Sequence, residues 1–361
     1  MFPYIDALRG CAIILVLLLH SSQVVPFDWA PIQHLAANGG KGVQLFYIVS
    51  SMTLAMSWYG RGSNQTLFYL RRYFRIAPLF YIAILAYVLV NDQGPQYWAP
   101  EGIQPWQVLT TAFFVHGFHP YSINSVVPGG WSIAVEVTFY AVFPWIITYC
   151  LNLRRSLTLF AVAVLVFYIG RMVLIRLMAP HFPESSQYLV QDFPYRSILG
   201  QLPIFLLGIC VYHALKLNNR VVFFIGSILS TAGIIILSLA YFRNEAIFQK
   251  LGENPILSGI YLAGMVMLIA QWSPKNAFLE FVGKISYGSY LSNLGVIMIL
   301  KWYGLPEMLS SIQGGGFLFF GFTCLAVFIS SHILHIVIEE PGIQLGKKVA
   351  NRIMRKKVAS P

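Results

Sequence analysis

The sequence predicts an all-α, polytopic integral membrane protein of about ten transmembrane helices. Hydrophobic residues make up 57% of the 361 positions and charged residues only 10%, more apolar surface than a soluble domain of this length hides. Apolar stretches near the ~20 residues that cross a bilayer recur along the whole chain. They are not the alternating ~10-residue segments of an outer-membrane barrel. Backbone groups in hydrocarbon need internal partners, so these spans are helices.

The spans fall at residues 7–26, 42–59, 76–91, 131–152, 157–176, 197–215, 221–241, 256–272, 285–303 and 316–338. The first apolar run, Cys11 to Leu19, is short. Asp6 upstream and the lack of a small-residue cleavage site make it a first span rather than a signal peptide. Residues 105–118 are apolar but too short to cross, which predicts a short re-entrant or interfacial helix. With both termini cytoplasmic, most of the 24 Lys and Arg fall on the inner side, as the positive-inside rule requires. An eleventh crossing at 105–118 would place Arg154 and Arg155 outside. Residues 1–345 read as one membrane-embedded domain, and 346–361, GKKVANRIMRKKVASP, as a basic cytoplasmic tail at the lipid headgroups.

The net charge of +11 follows from this topology and does not call for nucleic acid. Cys11, Cys150, Cys210 and Cys324 all lie in apolar runs, with no CxxC pair, so neither disulfide nor metal is expected. The sequon Asn64-Gln65-Thr66 falls in a loop assigned to the cytoplasm and reads as chance.

Ionisable residues inside spans cost roughly 2.5–3.5 kcal/mol each on insertion scales and therefore point to function. In LRGCAIILVLLLH, Arg9 and His20 are eleven positions apart, three helical turns plus ~20°, so they share a stripe with Ile13 and Val16, ~16 Å apart along the axis. Either they are an inner anchor and a histidine bonded to a neighbouring helix, or they belong to one site. Glu136, in PGGWSIAVEVTFYAVFP, is a carboxylate inside a span and shares a face with Ser132 and Tyr140. It either bridges helices or pairs with His20 as a proton-handling unit. In FYLRRYFRIAPLFY, Arg72 and Arg75 share a face just ahead of a span, with Arg71 beside them. They are either positive-inside residues or a cradle for a phosphorylated ligand. GKISYGSYLSN places Ser286, Ser289, Tyr290 and Asn293 near one face, the mark of a helix contact or a cavity wall. Glu339 and Glu340 close the last span, as interface residues or as partners for the basic cluster.

In this order the motifs resemble the membrane-bound acyltransferase family 3. YIDALRGCAIILVLLLH is similar to its Asp-x-Leu-Arg-Gly opening and following histidine, and GGKGVQLFYIVSSMTL to its second-span segment. RRYFRIAP resembles its Arg-x-x-Arg-x-x-Pro, WSIAVEVTFY its Trp-Ser-Leu-x-x-Glu, SYGSYLSN its Ser-Tyr-x-x-Tyr-Leu-x-His and IEEP its Glu-x-Pro. The resemblance implies a bacterial inner-membrane O-acetyltransferase. Acetyl-CoA would arrive from the cytoplasm, and the acceptor would be a hydroxyl of a glycan or lipid-linked saccharide, of the O-antigen, lipopolysaccharide or exopolysaccharide kind.

It carries Arg9, His20 and Glu136 onto catalytic positions and Arg72 and Arg75, with Arg71 possible, onto the donor site. Asn293 stands where the family often has histidine, and Ser51 where it has glycine. Some relatives carry an extra esterase-like domain, which is not expected here.

The expected mechanism makes His20 the general base, or the carrier of the acyl group, with Glu136 orienting it. Ser132, Tyr140, Tyr287 or Asn293, beside Trp131, would bind substrate or stabilise the oxyanion. The rival readings are a glycolipid or anion transporter using His and Glu as a proton relay, and a silent CoA-binding subunit. The loops 91–105 and 178–196 hold aromatic residues suited to sugar stacking or to the membrane interface.

Overall fold

The computed structural model describes residues 2–61, 64–90, 93–243 and 254–359; the first two residues of the loop 91–105 and the last two of the basic tail fall outside it. Among the described residues no strand forms beyond one isolated bridge, Gln96 to Ala99. Eight helical stretches there are long and apolar enough to cross a membrane.

The bundle is organised around α1 (Pro3–Ser22) and α3 (Lys41–Arg61), joined through the short α2 (Ala30–Ala37). The chain continues through α4 (Gln65–Val90), α5 (Pro105–Ala112), α6 (Trp131–Tyr149) and α7 (Leu153–Met178). Next come α8 (Gln187–Arg196), α9 (Ile198–Ala214), α10 (Asn219–Arg243) and α11 (Pro255–Trp272). The last elements are α12 (Ala277–Lys284), α13 (Ser286–Trp302), α14 (Leu305–Ser310), α15 (Gly315–Leu334) and α16 (Glu340–Ala359). A π-helical turn, His335–Glu339, joins α15 to α16. The eight-residue α5 is the short helix expected within 105–118.

Two expected spans lie outside the eight. Residues 42–59 form α3, whose Gln44, Ser50, Ser51 and Ser57 lower its apolarity. Residues 285–303 form α13, seventeen residues long and carrying Ser286, Ser289, Ser292 and Asn293. The physical reason is shared. α3 packs against α1, α9 and α11, and α13 against α1, α4 and α15, so polar side chains on these helices meet protein rather than lipid.

A third difference concerns α4. The span expected at 76–91 begins earlier, at Gln65, so the arginines sit two to three turns inside the helix rather than ahead of it. The expected start of the tail at residue 346 falls within α16, which runs on without a break. This helix packs on α4, where Gly342 and Gly346 make room for Phe74 and Pro78.

Ser51, standing where a glycine was expected, is fully buried. Its Oγ donates back to the Tyr47 and Ile48 carbonyls at 2.9 and 3.2 Å. The small residue at this crossing is supplied by the partner helix instead. A Cβ on Gly208 of α9 would run into Ser51 Oγ and the Ile48 carbonyl oxygen. Gly208→Ala is therefore expected to cost about 1–3 kcal/mol of overpacking, read as a lower thermal midpoint in detergent. Gly60→Ala, whose Cβ meets nothing within 4 Å, is expected to leave the midpoint unchanged.

Candidate functional site

The site is built where α1, α3, α4, α6 and α13 converge on one cavity. Arg9 of α1, Ser50 and Tyr47 of α3, and Arg72 and Arg75 of α4 line it. Ser132, Glu136 and Tyr140 of α6 and Ser286, Tyr287 and Tyr290 of α13 complete the polar wall. Four of the five helices supply a face of residues spaced three or four apart and α1 supplies Arg9, which is why separate motifs meet in one place. Arg71 is exposed and absent from the lining.

Three guanidiniums thus face one lining carboxylate. Arg9 is also held by Asp6, one turn earlier, at 3.2 Å. Arg72 lies over the Tyr140 ring, 5.7 Å from its centroid, and among the described residues its buried Nε has no hydrogen-bond partner. The cavity holds about 80 Å³ of open space, room for two or three waters at ~30 Å³ each. Hydration of that kind lowers the cost of keeping three cations together. The arrangement presents planar, multidentate donors of the kind that suit an anion.

Glu136 accepts from Ser50 Oγ at 2.9 Å and from the Tyr140 hydroxyl. It does not pair with His20, which corrects the expected His–Glu unit. His20 stands two residues from the end of α1, and its Nδ1 lies 2.6 Å from Asn293 Oδ1. The Asn293 Nδ2 donates to the Ser289 and Tyr290 carbonyls at 3.2 and 2.5 Å. Its Oδ1 therefore faces His20 as an acceptor. Nδ1 of His20 must carry the proton, leaving Nε2 with a free lone pair. Asn293, which stands where a histidine was expected, thus fixes the tautomer of a neutral His20.

The expected oxyanion donors are already engaged. Ser132 Oγ donates to the Gly129 carbonyl at 3.1 Å, Tyr287 to the Ile76 carbonyl at 2.8 Å, and Tyr140 to Glu136. Trp131 lies outside the lining, edge-on to Tyr47. It sits nearer to Arg196, a residue the sequence did not single out, whose guanidinium is near enough to act electrostatically on His20.

Three further groups were not singled out as site residues: Asp6, Ser50 and Glu339's link to the cavity. The π-helical turn brings Glu339 inward, where it is buried and accepts from His335 Nδ1 at 3.2 Å. It acts electrostatically on Arg75 and Tyr287; Glu340 is exposed. Single-turn π insertions often mark functional sites, but nothing in the sequence pattern announces one.

The start of α6 is held by the loop before it. Gly129 adopts φ +82°, open to glycine, and its N–H donates to Asn124 at 2.8 Å. His116 in the same loop donates from Nε2 to the Gly130 carbonyl at 3.0 Å. Burial pushes the His116 imidazole down to about 4, so it stays neutral at physiological pH.

In ¹⁵N-histidine-labelled protein near neutral pH, His20 is expected to show a protonated Nδ1 and a bare Nε2. Asn293→Leu is expected to give mixed tautomers. A wild-type His20 protonated only at Nε2 would contradict the hydrogen-bond assignment.

The sequence model of the acyltransferase 3 family, described as an acyltransferase domain, matches residues 2–335. The chain is also similar to the peptidoglycan O-acetyltransferase OatA of Listeria monocytogenes, 26% identical over 162 residues. That match covers 39% of this chain and 23% of the relative, so the chain spans about a quarter of that protein's length. No solved structure matches it.

Proposed function

The chain belongs to the acyltransferase 3 family, and from that premise we propose that it is a membrane O-acetyltransferase using acetyl-CoA as donor and a glycan hydroxyl as acceptor. One observation carries the reading: two of the five helices that line the arginine cavity also carry His20 and the asparagine that orients it. Arg9 and His20 share α1, and Tyr290 and Asn293 share α13. The last two are three positions apart, a rise of ~4.5 Å.

The phosphates of CoA rest on Arg72, Arg75 and Arg9, whose N–H groups match them bidentately. The orphan Nε of Arg72 finds its acceptor there. The pantetheine arm runs along α1 and α13 over the ~16 Å between Arg9 and His20. The acceptor oxygen attacks the thioester carbonyl while His20 Nε2 takes its proton. As the C–S bond breaks, the imidazolium returns that proton to the departing thiolate. Asn293 holds the ring, and Glu136 offsets the guanidiniums and fixes Ser50 and Tyr140. Arg71 adds only long-range attraction at the rim.

The relative is named for peptidoglycan O-acetylation, which favours a cell-envelope glycan or its lipid-linked precursor as acceptor. Both termini would be cytoplasmic, as the charge bias of the loops favours, with the arginine end facing the CoA pool of a bacterial inner membrane.

With labelled acetyl-CoA and purified protein, His20→Ala is expected to lose ~10²–10⁴-fold in acetyl transfer while still binding CoA. Arg72→Lys keeps the charge but not the fork, and is expected to raise the donor KM with less effect on kcat. A His20→Ala protein that transfers at the wild-type rate would overturn the mechanism.

A further inference from the structure

Arg196 ends α8 at the side of the bundle where α1 ends and α6 begins. Its guanidinium lies over Trp98 at 4.7 Å, Trp131 at 5.3 Å and Tyr195 at 6.0 Å from the ring centroids. Its Nε is bonded to Asp192 Oδ2, one turn earlier on the same helix. Among the described residues neither terminal NH₂ group of Arg196, nor Asp192 Oδ1, has another hydrogen bond within the protein. Both side chains remain partly open, 25% and 32% exposed.

The two aromatic loops singled out in the sequence pack together here. The Tyr97 and Tyr188 rings are 4.6 Å apart, and the Tyr188 hydroxyl donates to the Tyr97 carbonyl. Arg196 in turn acts electrostatically on His20.

We propose that Asp192, Arg196 and Trp98 form the acceptor subsite, which holds a neutral saccharide through its hydroxyls. A carboxylate and a guanidinium side by side offer acceptors and donors in the fixed spacing that neighbouring hydroxyls match. The half-buried Trp98 beside them would meet the C–H groups of a sugar's apolar face with the indole face turned away from Arg196. The charge balance selects a neutral ligand, because Arg196 already has its anion in Asp192. An acidic group on the acceptor would have to displace that carboxylate or sit against it. A saccharide bound here would lie beside Trp131 at the start of α6, within electrostatic reach of His20.

The inference rests on the acyl-transfer reading, and its test separates the two. The full-length chain in detergent, fluorescently labelled, is applied to an array of neutral and acidic oligosaccharides. Arg196→Lys, Asp192→Asn and Trp98→Ala are run beside it, with CoA binding measured on each. Binding of neutral saccharides by the wild type is expected to weaken at least tenfold in Arg196→Lys and Asp192→Asn, with CoA binding and thermal midpoint unchanged. Trp98→Ala, which alters the loop rather than α8, is expected to show the same loss.

Binding to acidic glycans alone, to no glycan, or equally by all variants would overturn the subsite, as would parallel loss of saccharide and CoA binding in all three. Neutral binding that depends on Arg196 in a chain that transfers no acetyl group would uphold the subsite and overturn the acyl-transfer reading instead.

Discussion

Three guanidiniums point into one cavity inside a bundle of apolar helices, and most of the surrounding structure follows from keeping them there. A buried cation is tolerated when paired, hydrated or matched by an incoming anion. Arg9 has Asp6, and Glu136 and Glu339 act on the others. The space between holds water-sized volume rather than side chains. The polar helices α3 and α13 are the corollary. They line the charged cavity, so they are wrapped by other helices and left too polar or too short to read as simple spans.

Helix α13 connects the two halves of the site. Its first five residues face the arginines through Ser286, Tyr287 and Tyr290, and the following turn holds His20 through Asn293. The carbonyls of Ser289 and Tyr290 orient the Asn293 amide, so backbone geometry at the cavity wall decides which imidazole nitrogen is basic. Tyr287 is anchored to α4 through the Ile76 carbonyl. The arginine cavity and His20 are therefore tied to the same helix, α13.

Much of this was legible in the sequence because helical period is a local property. The spacing of Arg9 and His20, of Arg72 and Arg75, and of Ser132, Glu136 and Tyr140 each predicts a shared face, and the arginines, Glu136 and Tyr140 do meet in the cavity. What failed was pairing between distant segments. His20 and Asn293 are 273 positions apart, and no periodicity says which of two polar stripes a histidine will face. Glu136 was the plausible partner by charge, yet its neighbours are Ser50 and Tyr140. Arg196 escaped notice because it sits at a helix end among aromatic residues, where an interfacial arginine and a binding residue look alike.

On the proposed reading, the arginine cavity and His20 are the two ends of one donor path. That claim is tested most directly by a cryo-EM structure of the protein with a non-transferable thioether analogue of acetyl-CoA. The account predicts phosphates against Arg72 and Arg75, the pantetheine arm along α1 and α13, and the acyl end beside Nε2 of His20. An analogue bound outside the arginine cavity, or bound there with its acyl end directed away from His20, would contradict it.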